Sequence, residues 1–294
     1  MMGNGMLLLA AMIWGAAFVA QTVGMEDVEP FTFQACRCIL GGLVLLPVIA
    51  ALDKRGNEKK PVTRAQRTYL LLSGVGCGVL LFTACSLQQF GLLYTTAGKS
   101  GFITSLYIIL VPILGLCLGK KVLPWIWGSV ALAIGGLYLL CGGGLSFGKG
   151  ELLTLLCAVA FSFHILLIDH VSPKVDGVRL SCLQFLVCGL ISIVPMFFTE
   201  SPSLSAIAQC WLPIGYAGIL SCGVAYTFQI VGQAHTEPTI ASLLMSLESV
   251  FVALSGWVLL NEALSMKELF GCALVFVAVI LAQIPLRHRC RTGG

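Results

Sequence analysis

Within MSLESVFVALSGWVLLNEAL, residues 245 to 264, Glu248 interrupts a run that is apolar or small from Ile240 to Leu260. A run of that length can cross a bilayer. A carboxylate there must face a wet cavity, pair with a cation or be neutralised by a proton. At 1.5 Å per residue Glu248 sits roughly 14 Å from the nearer membrane boundary, too deep for a short side chain to reach water. Arg37 and Lys99 are the other clear intramembrane charges. They lie about 6 to 9 Å from the opposite boundary, within reach of their aliphatic stems. Each therefore reads either as a snorkelling residue or as part of a site.

Ser242, Ser246 and Ser249 recur at helical spacing beside Glu248, and Ser100, Thr104 and Tyr107 form a matching polar stripe earlier in the chain. Small hydroxyl residues also let helices pack closely. Two stripes at related places nevertheless favour a lined cavity. Trp14, Gln88, His164, Tyr226 and Gln229 are further candidates to line it, with Trp14 and Phe161 supplying an aromatic wall. Two intramembrane cations against one anion leave an excess positive charge where charges are normally matched. If both cations face the cavity, the missing anion is the solute, and Lys99 would meet its carboxylate as a point charge. Glu248 is then either a pin between helices or part of the site.

Other chemistry finds little footing. The spans carry no paired carboxylates and no Ser/His arrangement, which disfavours a membrane-embedded enzyme or sensor. GGLSFGKG at 143–150 resembles a phosphate-binding loop, but Gly150 replaces the hydroxyl that would hold Mg²⁺ and no strand precedes it. The thirteen cysteines include no CxxC pair and mostly lie inside apolar runs, such as Cys85, Cys188 and Cys222, where Cys serves as a small hydrophobe. Neither disulfides, nor a metal site, nor a cofactor is expected.

These residues belong to a chain of 294 residues that is 58% hydrophobic and 10% charged, with a mean hydropathy of +0.97, which marks a membrane protein. Ten apolar stretches long enough to span fall near 4–24, 31–52, 68–90, 95–118, 122–141, 150–169, 180–198, 208–233, 239–260 and 266–285. The first is expected to be a retained span and not a signal peptide, because no basic residue precedes it. With a cytoplasmic N-terminus, 13 of the 17 Lys and Arg fall on the cytoplasmic side, so both termini are expected there. The expected partners are the lipid bilayer and a small-molecule solute, with room for a homodimer and none for nucleic acid.

A shift of 141 sets SLYIILVPILGLCLGKKVL (105–123) on SLESVFVALSGWVLLNEAL (246–264), and a shift of 147 sets the start of span 1 on the start of span 6. Five spans followed by five more give halves of opposite orientation, residues 1–145 and 146–294. The expected fold is thus an all-α membrane protein of ten transmembrane helices in two inverted-topology repeats, an arrangement common in secondary transporters.

EPFTFQACRCILGGLVLLP, LQQFGLLYTTAGKSGFITSLYIILVPILGLCLGK and LESVFVALSGWVLLNEAL together resemble the repeat of the drug/metabolite transporter superfamily, EamA type. The resemblance extends over nearly the whole chain. It implies a ten-helix carrier in the cell membrane, of bacterial inner-membrane kind, exporting a small polar metabolite such as an amino acid or organic acid. Its cavity would be lined mainly by spans 1, 3, 4, 6, 8 and 9. Two departures stand out. Lys120 and Lys121 replace the Glu usual after span 4, which the second half keeps as Glu262, and the usual Glu-Pro of span 9 is Glu248-Ser249, predicting a less kinked helix.

The polarity of charge makes the orientation testable. A cysteine placed at Asn57, in a background without reactive cysteines, is expected to resist an impermeant thiol reagent in intact cells and to react after permeabilisation. Labelling in intact cells reverses the orientation.

Overall fold

A computed structural model describes residues 2–55, 63–120, 122–140, 148–259 and 265–283, and every regular element among them is helical. In chain order these are α1 Met2–Asp27, α2 Pro30–Arg55, α3 Arg64–Leu92, α4 Ala97–Thr104, α5 Tyr107–Cys117, α6 Pro124–Leu140, α7 Lys149–Val171, α8 Gly177–Thr199, α9 Leu204–Gln209, α10 Trp211–Gly215, a π-helical stretch Tyr216–Ala225, α11 Tyr226–Gln233, α12 Pro238–Met245, α13 Glu248–Leu259 and α14 Met266–Gln283. Lys121, Asn57, Glu262, the cations of residues 59, 60, 287, 289 and 291, and most of the 143–150 loop lie outside the described residues.

Among the described residues, eight helical stretches are long and apolar enough to cross a membrane, counting α4 with α5, α10 through α11, and α12 with α13 as one each. The expected spans 5 and 10 correspond to α6 and α14, of 17 and 18 residues, which run alongside each other. At 1.5 Å per residue they measure roughly 26 to 27 Å, a little under a hydrocarbon core of about 30 Å. Helices that are apolar all round expose large side chains to lipid, among them Leu72 and Phe198.

Local chemistry sets several helix ends. Thr63 and Gln66 form a reciprocal capping box at the start of α3, Thr96 caps α4 through the Lys99 amide, and Asp176 caps α8 through the Arg179 amide. Glu200, just after α8, caps α2 from a distance. It accepts from the amides of Phe31 and Thr32 and from the Thr32 hydroxyl, each at 2.7 Å. Glu29 reciprocates by accepting the Ser201 amide at 2.9 Å. At the opposite end Lys120 pairs with Asp169, and Arg179 with Asp53 at 2.5 Å.

Two helices break at related places. Between α4 and α5 the chain tightens at Ser105–Leu106, where the Leu106 amide bonds the Ile103 carbonyl and the Ile108 amide bonds Ser105. Between α12 and α13 it does the same at Ser246–Leu247, with Leu247 to Leu244 and Ser249 to Ser246. These i to i−3 bonds narrow the helix to a 3₁₀ turn, a form that often marks a hinge or strain. The two breaks are 141 residues apart. Span 9 is therefore interrupted although Ser249 stands where proline was expected: a 3₁₀ turn keeps its amide donors engaged and needs no proline to form.

The most extensive helix packings join opposite halves of the chain: α1 with α13, α2 with α8, α3 with α7 and α8, and α6 with α14. Close approach uses glycine. A Cβ on Gly15 would sit 2.3 Å from the Phe251 Cβ and 2.6 Å from its backbone carbonyl carbon, so α1 and α13 touch backbone to side chain. Gly15→Leu is expected to destabilise the protein by about 1 to 3 kcal/mol through overpacking, read as a lower melting temperature in detergent. Gly5→Leu, which meets nothing within 4 Å, is the neutral control.

Candidate functional site

The interrupted helices deliver two polar groups to the centre of the molecule. Tyr107 opens α5 and Glu248 opens α13, each one residue past its break. Tyr107 Oη donates to Glu248 Oε1 at 3.1 Å and Ser105 Oγ to the same oxygen at 3.5 Å. Ser105 and Ser249 hydroxyls lie 2.5 Å apart, and Ser249 Oγ donates to the Gly101 carbonyl at 2.9 Å. The Tyr107 and Ser105 bonds both fall on Oε1 and join the two halves, and Glu248 also lines the cavity. Glu248 is at once a pin and a lining residue.

That cavity has about 600 Å³ of empty space, its mouth included. One wall is aromatic: Tyr226 meets Trp14 edge-on at 4.7 Å and Phe185 at 5.1 Å between ring centres, with Phe161 nearby. Another is polar, where Gln88 Nε2 donates to Thr104 Oγ1 at 3.3 Å. At a third place Arg37, only 4% exposed, enters from α2. Its Nη1 donates to Gln21 Oε1 at 2.8 Å, its guanidinium carbon lies 5.7 Å from the Phe33 ring centre, and it has no ion-pair partner among the described residues. Three lining atoms have no hydrogen-bond partner: the Trp14 indole N–H, Arg37 Nε and Gln229 Oε1. Buried polar atoms are ordinarily satisfied, so these three stand out as available to a polar guest.

Eight residues expected along the cavity wall meet around this space: Trp14, Gln88, Thr104, Tyr107, Phe161, Tyr226, Gln229 and Glu248. Six do not line it, among them Ser249, which bonds the Gly101 carbonyl. Lys99 lies in the first turn of α4 and borders an outer groove with Tyr94, Thr95 and Glu151, because a lysine three residues inside the Thr96 cap can extend along its stem to the surface. Ser100 is fully buried outside the lining, its hydroxyl unbonded. His164 stands behind Tyr226, its Nε2 3.0 Å from Gln184 Oε1. Ser242 and Ser246 turn their hydroxyls back on their own helix, to Thr239 and Leu243 carbonyls at 2.8 Å. The polar stripe of span 9 assumed one continuous helix. Glu248, two residues past Ser246, projects from a different face and reaches the cavity, while the two serines stay out of it.

Spans 2 and 7 also reach the site, through Arg37, Cys38 and Phe185. Arg37 carried a signal, being one of three intramembrane charges, but its distance from the boundary suited snorkelling equally well. Gln21, Ser221, Cys85 and Cys222 carried none that separates them from packing residues. The π-helical stretch brings Ser221 and Cys222 in, and such wide turns gather at functional sites.

The pin has a measurable weight. Glu248→Gln keeps an acceptor for Tyr107, whereas Glu248→Leu leaves the Tyr107 hydroxyl buried and unpaired, at about 1 to 3 kcal/mol. The Leu variant is expected to melt well below the Gln variant in detergent. Equal melting temperatures contradict the pin.

The EamA-like transporter family matches residues 1–142 and again 148–283. An uncharacterized transporter of Archaeoglobus fulgidus is 30% identical over 95% of this chain and 84% of its own length. The uncharacterized inner membrane transporter YedA of Escherichia coli K12 is 23% identical over 95% and 90%, and the chloroplastic WAT1-related protein At3g02690 of Arabidopsis thaliana is 26% identical over 92% and 67%. A solved crystal structure with 22% identity, covering 96% of both chains, superposes with a TM-score of 0.77, which shows the fold. An all-helical membrane chain built around one polar-lined cavity, and matched by the same family in both halves, is a member of the EamA-like transporter family.

Proposed function

We propose that this transporter is a secondary carrier for a small polar metabolite bearing a carboxylate, such as an amino acid or organic acid, and that it works by alternating access of two inverted five-helix repeats. The observation that carries the reading is Arg37, a buried cation at the cavity with no carboxylate partner among the described residues. An unmatched charge in a low-dielectric interior is costly, and a solute carboxylate would match it. The planar guanidinium suits a carboxylate fork better than a lysine ammonium would. Arg37 thus takes the part first expected of Lys99. The Trp14 N–H and Gln229 amide oxygen offer further bonds, and the Glu248 carboxyl group in the same lining takes up a proton or meets a solute ammonium.

The repeat division at 1–145 and 146–294 is supported by the two family matches, 1–142 and 148–283, and by helix breaks 141 residues apart. With α6 and α14 as the fifth span of each half, the count is ten. The excess of Lys and Arg on one side supports cytoplasmic termini, and export of the solute follows the family's usual direction.

Reconstituted protein in liposomes, screened with radiolabelled amino acids and organic acids, is expected to show saturable counterflow of a carboxylate solute. Arg37→Gln should weaken its apparent affinity roughly ten- to a hundredfold, the equivalent of about 1.5 to 3 kcal/mol for a charge-assisted hydrogen bond. Lys99→Gln should leave transport unchanged. Transport of an organic cation, or an unaltered Arg37→Gln variant, overturns the carboxylate assignment, and product chemistry without solute movement overturns the carrier.

A further inference from the structure

Four thiols gather at the Arg37 side of the cavity. Cys38, Cys85 and Cys222 line it, and Cys188 stands behind Cys38. The guanidinium acts electrostatically on all four. Cys38 Sγ lies 3.5 Å from Cys188 Sγ, in direct contact. Cys38 belongs to α2 and Cys188 to α8, helices of opposite halves that pack along their length. Carboxylate recognition uses none of these sulfurs.

Buried cysteines in purely apolar surroundings are inert, because the thiolate is the reactive form and nothing there supports its charge. Cys38 differs in three respects: a cation lines the same cavity beside it, a second thiol touches it, and it borders the cavity itself. These are the circumstances of an oxidation site with a resolving partner.

We infer that Cys38 and Cys188 are an oxidation site at which a peroxide that enters the cavity joins α2 to α8 through a disulfide. The Cys38 sulfur attacks one peroxide oxygen, forming an S–O bond and breaking the O–O bond, and the departing oxygen takes the thiol proton and leaves as water. The Cys188 sulfur then attacks the Cys38 sulfur. The S–S bond forms, the S–O bond breaks, and the second oxygen leaves as water with the Cys188 proton. Two thiols lose two electrons, and one peroxide becomes two waters.

The test uses the full-length protein in liposomes and hydrogen peroxide in graded doses, followed by denaturation, blocking of remaining thiols with N-ethylmaleimide, digestion and mass mapping. Linked Cys38–Cys188 peptides are expected at doses about tenfold below those that oxidise the exposed Cys117, and dithiothreitol is expected to separate them. In Cys188→Ala, checked for unchanged elution as folded protein, the link disappears and a dimedone adduct appears on Cys38. Cys188→Ser gives the same outcome should alanine disturb the fold. The assignment is overturned if both thiols stay reduced while Cys117 oxidises, or if Cys38 links to Cys85 or Cys222 instead. The readout needs no transported solute, so its failure leaves the carboxylate carrier untouched.

Discussion

Hydrocarbon accepts no hydrogen bonds, so a chain crossing it must satisfy its own backbone. The site of this protein depends on how two spans depart from that requirement without violating it. At Ser105–Leu106 and Ser246–Leu247 the helix narrows for one turn, and the amides there find carbonyls three residues back. Neither turn faces lipid: Ser105, Ser246 and Leu247 are all but fully buried. Because the backbone stays bonded, the chain can redirect itself at mid-span. Tyr107 and Glu248 then begin new helical segments facing each other across the halves.

Glu248 and Arg37 divide the electrostatic work between them. The carboxyl group is held on one oxygen by donors from the other half, which fixes its place at the cavity wall. The guanidinium has one neutral acceptor, Gln21, and an aromatic neighbour, Phe33. The same cavity carries the aromatic wall of Trp14, Tyr226 and Phe185, so it offers apolar area together with a guanidinium and a carboxyl group. Such a lining suits a small guest that carries both character types.

The packing pattern bears on how the halves can move. Each half makes its broadest contacts with the other, through α1 against α13, α2 against α8 and α3 against α7. Neither half therefore owns a separate core. Polar clasps add to this at both ends of the bundle: Glu200 and Glu29 at one, the Lys120–Asp169 and Arg179–Asp53 pairs at the other. A rearrangement that opens one end has to release the clasp there while the close glycine-mediated contacts slide, which is how packed helices ordinarily shift. Lys120 is one member of such a clasp.

By itself the sequence determined the class of molecule, because hydropathy and span length follow from composition and need no knowledge of neighbours. It also determined the family and singled out Glu248, Arg37 and Lys99, since a charge in an apolar run is visible wherever it points. Which of these charges meet at one place was decided only in three dimensions. Arg37 and Lys99 lie at similar depths along their spans, yet protein surrounds one and the surface takes the other, and depth does not encode that difference. The serine stripe shows the same limit from another side. Ser242, Ser246 and Ser249 share a face on a continuous helix, with Glu248 off that face, yet two of the serines bond their own helix while Glu248 meets Tyr107 across the halves, next to a 3₁₀ turn that forms without proline. The four cysteines around Arg37 are scattered from residue 38 to residue 222, and only the packing of α2, α3, α8 and the π-helical stretch against one another could bring their sulfurs together.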